Sequence, residues 1–338
     1  MLDRNELLSN FINKDLQLAL LPMRFLENVF LLSTYSISNN FINPRDYIYY
    51  ILSFFLVSFF IGLQIYFSII SVHIELFYLL VANLCISCVA MILILTSSIY
   101  YSDKYIFLIM RLQKIINNTP NFTLNKFIKW NCIHYFCLIV TIVGFVSTYM
   151  YATRMYATFS SCLYLISTMY ADVSVYSSVR ILKLINCVTC FWSKRLLKKP
   201  RSIKFFDSTR LTYSVYIDIL KVYEAFTCVF KMPDVVLSFE VFFFAWHIKN
   251  LLNIISFVKE CETMYQTILD IDNFCTTRLS KELPMEESKL YNNIKRLNQT
   301  QFKKMSVYGV FVMDAGLPVG LVQLLTTYVI VILQFALT

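Results

Sequence analysis

The sequence predicts an all-α membrane protein: a seven-transmembrane helical bundle with a cytoplasmic N-terminus, an extracellular C-terminus and a helical cytoplasmic anchor region. Three observations predict it. The 338 residues are 58% apolar and only 15% charged, where a soluble domain is typically about 25% charged. Apolar residues come in unbroken runs of the length that crosses hydrocarbon, about 20 residues, not in the alternating pattern of barrel strands. Lys and Arg alternate between dense and absent along the loops that separate those runs.

Residues 1–46 form the N-terminal, interfacial segment. They carry Asp3, Arg4 and Glu6 with no early apolar run ending in a cleavage site, so the first span is expected to act as its own insertion signal. Residues 16–35 are apolar but interrupted by Pro22, Arg24 and Glu27, which suits an amphipathic, interfacial or re-entrant segment better than a crossing.

The first four spans are expected at 47–67, 77–101, 133–152 and 159–179, and the last at 306–338. Before the first span lie Arg4, Lys14, Arg24 and Arg45; the 68–76 loop has no basic residue. The 102–132 loop has Lys104, Arg111, Lys114, Lys126 and Lys129, the 153–158 loop only Arg154, and 180–210 is densely basic through Ser193-Lys-Arg-Leu-Leu-Lys-Lys-Pro-Arg201. The alternation puts the N-terminus in the cytoplasm, and the 180–210 run beside a span reads as a topology signal on anionic lipid rather than a nucleic-acid site.

Residues 278–304 are basic again, which demands an even number of crossings between 210 and 278. A hairpin turning near Pro233, with spans at 211–230 and 235–258, satisfies this and completes helices one to six over 47–258. Asp218, Lys221 and Glu224 are costly for the first of those spans; one long helix near 226–247 is the alternative. Residues 259–305 are then a cytoplasmic helical region. Within it, Leu290, Ile294 and Leu297 form an i, i+4, i+7 stripe after Pro284, with acids first and bases last.

Candidate chemistry concentrates in the last helix, 306–338. Positions seven apart return to nearly one face, so Gln323, Thr327, Gln334 and Thr338 make a polar stripe, flanked by Tyr328 and Phe335. Such a stripe either hydrogen-bonds another helix or lines a wet path in a ring of copies, with Phe335 as an apolar constriction that gates by dewetting. Gly316, Pro318 and Gly320 can break or kink the helix, and Asp314 can cap that break, draw cations or face the interface. Asp172, costly in mid-span, joins Tyr149, Tyr164, Tyr170 and Trp246 as candidate walls of a small-ligand cavity.

Nothing here matches an enzyme: GxSxG, Walker and HExxH motifs and paired carboxylates are missing from the sequence. The ten cysteines are scattered and His73, His134 and His247 lie far apart, so no metal and no cofactor are expected. Three sequons, Asn117-Asn-Thr119, Asn121-Phe-Thr123 and Asn298-Gln-Thr300, fall in loops assigned to the cytoplasm.

Thr327-Tyr328, five aliphatic residues and Gln334-Phe335 resemble the TY-five-hydrophobic-QF signature of the insect gustatory receptor family. Gly309-Val-Phe311-Val-Met-Asp314 is similar to the Gly-Phe-Phe-x-hydrophobic-Asp stretch that precedes it there, and 286–305 looks like that family's cytoplasmic helix. The resemblance covers about the last 50 residues. It implies a cell-membrane chemosensory receptor of sensory neurons: a tetramer, alone or with related subunits, whose last helices line a nonselective cation pore opened by a small-molecule tastant. Gln334 and Phe335 fall at the family's gate, and Thr327 and Tyr328 in the same pore helix. The stretch between the fourth and last spans is short for the family. Signalling through G proteins is the alternative, although no Asp-Arg-Tyr or Asn-Pro-x-x-Tyr stretch accompanies it; a transporter would call for internal repeats.

Overall fold

The computed structural model describes residues 10–70, 77–119, 122–152, 159–198, 205–230, 244–281, 283–307 and 311–337. They are overwhelmingly helical, with ten α-helices and two small β-ribbons among them. The chain divides into two compact units, one of residues up to Arg180 with 221–240, the other of 181–220 with 241–338.

The first unit begins with α1, Lys14–Val29. Leu16, Ala19, Leu20 and Met23 are buried where α1 packs on α5, while Leu18, Leu21, Phe25 and Val29 form a second, exposed apolar face. The expected 16–35 segment ends early, because β1 (Tyr35–Ser38) and β2 (Phe41–Pro44) close a hairpin. Its two-residue loop has Asn39 at φ 53° and Asn40 at φ 67°, the left-handed pair that a tight hairpin turn requires and Asn tolerates.

Two helices of 24 residues, α2 (Tyr47–Ile70) and α3 (Phe77–Tyr100), pack together. At Tyr101 the chain bends: Met91–Tyr100 and Ser102–Asn117 differ in direction by 62°, and α4 (Ser102–Asn117) buries Leu108, Ile109, Leu112 and Ile115. Asn117 Oδ1 accepts from Asn13 Nδ2 and Gln113 Nε2, each at 2.8 Å, which ties α4 to the start of α1. The 28-residue α5 (Asn125–Ala152) follows, then the 40-residue α6 (Phe159–Lys198). The span expected at 159–179 therefore continues as helix through most of the basic run. Asn131 joins three elements of this unit: its Nδ2 donates to Ala19 O at 2.7 Å and its Oδ1 accepts from Arg180 Nε at 2.6 Å, all buried.

In the second unit the first part of α7 (Phe205–Val229), up to Leu220, sets Tyr216 against Trp192 of α6, stacked at 5.1 Å. The 36-residue α8 (Phe244–Leu279) and the 17-residue α9 (Met285–Gln301) form an antiparallel pair. The α9 stripe differs from expectation by one position: Leu290, Tyr291, Ile294 and Asn298 are buried, and Leu297 is half-buried. Polarity at Asn298 is satisfied by Tyr216, whose hydroxyl donates to Asn298 Oδ1. A ribbon of β3 (Ser306–Val307) and β4 (Phe311–Val312) leads to α10, Gly316–Leu337.

Among the described residues, Asp172–Leu196 is one helical stretch long and apolar enough to cross a membrane, and the pair bent at Tyr101 qualifies if taken as one.

Candidate functional site

The last helix is built at its start by carboxylates. Asp314 Oδ1 accepts from Gly316 N at 3.0 Å and Asp314 O from Leu317 N at 3.1 Å, so Asp314 caps α10, the first of its three roles considered above. The next amide, Ala315 N, donates to Glu262 Oε1 of α8 at 3.0 Å. Free amides and the positive end of the helix dipole favour negative charge here. One turn along α8, the Tyr265 hydroxyl accepts from Met305 N at 3.0 Å, and Met313 N donates to Met305 O at 2.9 Å. Glu262 and Tyr265 thus anchor both ends of the ribbon that feeds α10. Sequence reasoning missed Glu262; acids on a long polar helix carry no signal of which amide they meet.

Gly316, Pro318 and Gly320 do not interrupt α10. The helix begins at Gly316, Pro318 sits in the first turn where its missing N–H costs nothing, and Gly320 lies inside a continuous helix. The interruption falls earlier, over the ribbon and residues 313–315, and leaves a last helix of 22 residues.

Gln323, Thr327 and Gln334 are exposed along α10. Thr327 Oγ1 donates to Gln323 O at 2.9 Å, so its hydrogen is spent within the helix and its lone pairs face outward. The side chains of Tyr328 and Phe335, and Thr338 altogether, lie outside the described residues. So do the side chains of Tyr149, Tyr164 and Trp246 among the proposed cavity walls. Asp172 and Tyr170 are buried.

A different cavity is formed in the first unit, of about 40 Å³, lined by Glu27, Thr34, Ser97, Ser98, Tyr101, Tyr105, Ser174, Ser177 and the apolar Leu32, Val229 and Phe230. Asp172 and Tyr170 do not belong to this lining. Glu27 is 7% exposed; Glu27 Oε2 and Thr34 Oγ1 have no hydrogen-bond partner, and the Ser177 hydroxyl lies close to Glu27 and Tyr135. Burial pushes the Glu27 carboxyl up to about 8, against the smaller pull of the nearby Ser177 hydroxyl and Arg45 guanidinium. Phe230 closes one side, its ring 5.8 Å from Tyr105 and 4.8 Å from Phe226. Glu27 stood out in the sequence only as a charge in an apolar segment.

No family model matches this chain, and no curated protein matches it.

Proposed function

We propose that the chain is a gustatory-type chemosensory receptor that acts as a ligand-gated nonselective cation channel, with the last helix of each subunit lining the pore of a tetramer. The observation that carries this reading is the exposed face of α10. Gln323, Thr327 and Gln334 are exposed on a helix that also exposes Val319, Val322, Leu324 and Ile330. A helix so apolar, with so many of its described side chains exposed, calls for lipid on one side and copies of itself on the other. The TYVIVILQF signature, residues 327–335, supports assigning the polar side to the pore.

Seven helices in the membrane belong to this reading, entering from a cytoplasmic N-terminus. Exposed apolar rows support lipid contact: Ile51, Phe54, Phe55 and Phe59 on α2, and Ile133, Phe136, Val140 and Val143 on α5. The fifth and sixth helices are read at 211–230 and 235–258, and the stretch that holds them is short; Lys221 and Glu224 are exposed on the first of them.

Cysteine accessibility in intact cells tests the pore assignment. Gln323→Cys and Thr327→Cys channels should lose most tastant-evoked current to a charged thiol reagent that leaves the wild type conducting. Equal insensitivity of both variants would remove the polar stripe from the pore.

A further inference from the structure

The cavity at Glu27 has the chemistry of a small-ion site. Its lining is rich in acceptors. Ser97 Oγ and Ser98 Oγ donate their hydrogens to Ile94 O at 2.8 and 2.9 Å, and the Tyr105 hydroxyl points its hydrogen at Met23 Sδ, 3.9 Å away. Those three oxygens therefore offer lone pairs only. Thr34 Oγ1 and Glu27 Oε2 add unpartnered oxygens, the Ser177 hydroxyl lies beside Glu27, and among the described residues no Lys or Arg lines the space. The acidic, acceptor-rich lining disfavours an anion.

We propose that Glu27, with the hydroxyls of Ser97, Ser98, Ser177 and Thr34, holds a dehydrated Na⁺ ion in this cavity. Size and charge select the ligand. On a water-sized scale about 40 Å³ admits roughly two or three water molecules, which suits an ion with one water and excludes an organic cation. With the Arg45 guanidinium already near Glu27, each further positive charge is costly to bury, which favours a monovalent over a divalent ion. Hard oxygen donors suit an alkali ion rather than a soft metal. The proposed ligands come from residues 27–34, from the end of α3 and from α6, all within the first unit, so an ion there fastens three segments that are far apart in sequence. It does not depend on the channel reading.

A proton competes for the same carboxylate, so Na⁺ binds better as pH rises. The other groups facing Glu27 are Arg45 before α2, Tyr35 of β1, Tyr105 of α4 and Tyr135 of α5, with Tyr101 in the lining.

The test is thermal unfolding of the full chain in detergent, with NaCl replaced by choline chloride at constant ionic strength. Wild type should unfold about 2–4 °C higher in Na⁺ at pH 8.5 and show little difference at pH 6. Glu27→Gln, which mimics the protonated acid and keeps the fold, should lose the Na⁺ response. Ser177→Ala should keep it but need about tenfold more Na⁺. A wild type indifferent to Na⁺, or an equal rise in wild type and Glu27→Gln, would overturn the site. An unchanged Na⁺ midpoint in Ser177→Ala would remove Ser177 from it.

Discussion

Glu262 of α8 accepts a hydrogen bond from the backbone amide of Ala315 at 3.0 Å, one residue before α10 begins. This bond, with the Asp314 cap beside it, links a long helix of the second unit to the first turn of the proposed pore helix. Glu262→Ala leaves an amide of that turn to water. Hydrogen exchange over 311–320 should quicken about fivefold, the equivalent of about 1 kcal/mol, since exposed charge-assisted contacts at a helix start are worth that much. Glu262→Gln keeps an acceptor and should fall between. Identical exchange in wild type and Glu262→Ala would mean that Asp314 alone sets the start of α10.

Asn131 answers to two buried partners, Ala19 O and Arg180 Nε. Asn131→Leu removes a donor and an acceptor at once and leaves a buried guanidinium N–H unmet. The unfolding midpoint should drop by the equivalent of about 2–4 kcal/mol. A drop no larger than that of an exposed control such as Lys129→Ala would show that water replaces the side chain.

The Glu27 carboxyl is raised from 4.5 in the unfolded chain to about 8 in the folded one. The folded state therefore holds a proton that the unfolded state has already lost. Stability on this account is complete below about pH 4.5 and declines as pH rises to about 8, at most about 1.4 kcal/mol per pH unit. In choline buffer the wild type should show that decline and Glu27→Gln should show a flatter profile. Parallel profiles would assign the slope to other groups.

Two sequons are built into the fold. Asn117 Oδ1 accepts two hydrogen bonds, and Asn298, 8% exposed, is bonded to Tyr216. Asn298 is closed to a glycosyltransferase in the folded chain whichever side it faces, whereas Asn117 is exposed. A sequon carried on a flexible insert at 153–158 should be glycosylated in cells, and the same insert at 120–121 should not. The reverse pattern would invert the proposed topology.

Much of this architecture was legible in apolar runs. The stretches at 47–67, 77–101 and 133–152 fall on α2, α3 and α5, because an unbroken apolar run satisfies its backbone only as a helix. Leu290 and Ile294 announced the buried face of α9 by period alone. The β1–β2 hairpin was also written locally, in Asn39-Asn40 between two β-prone pairs, but the longer apolar segment masked it. What local pattern lacks is tertiary pairing. Nothing near Glu27 indicates that Ser177, 150 residues away, will share its cavity, and nothing near Glu262 names Ala315. Asn298 breaks the α9 stripe for the same reason: its partner, Tyr216, sits on another helix. The break before α10 was expected from Gly316 and Pro318, yet those residues suit a helix start as well as a kink, and the capping carboxylates decided between them.

The most direct measurement needs no tastant. Wild type and Phe335→Ala are expressed at matched surface levels, and whole-cell cation current is recorded at rest. If Phe335 closes a pore lined by α10, the variant carries a standing cation current and the wild type stays silent. If both are silent with surface expression confirmed, the last helix does not line a conducting path gated at Phe335, and the channel account fails.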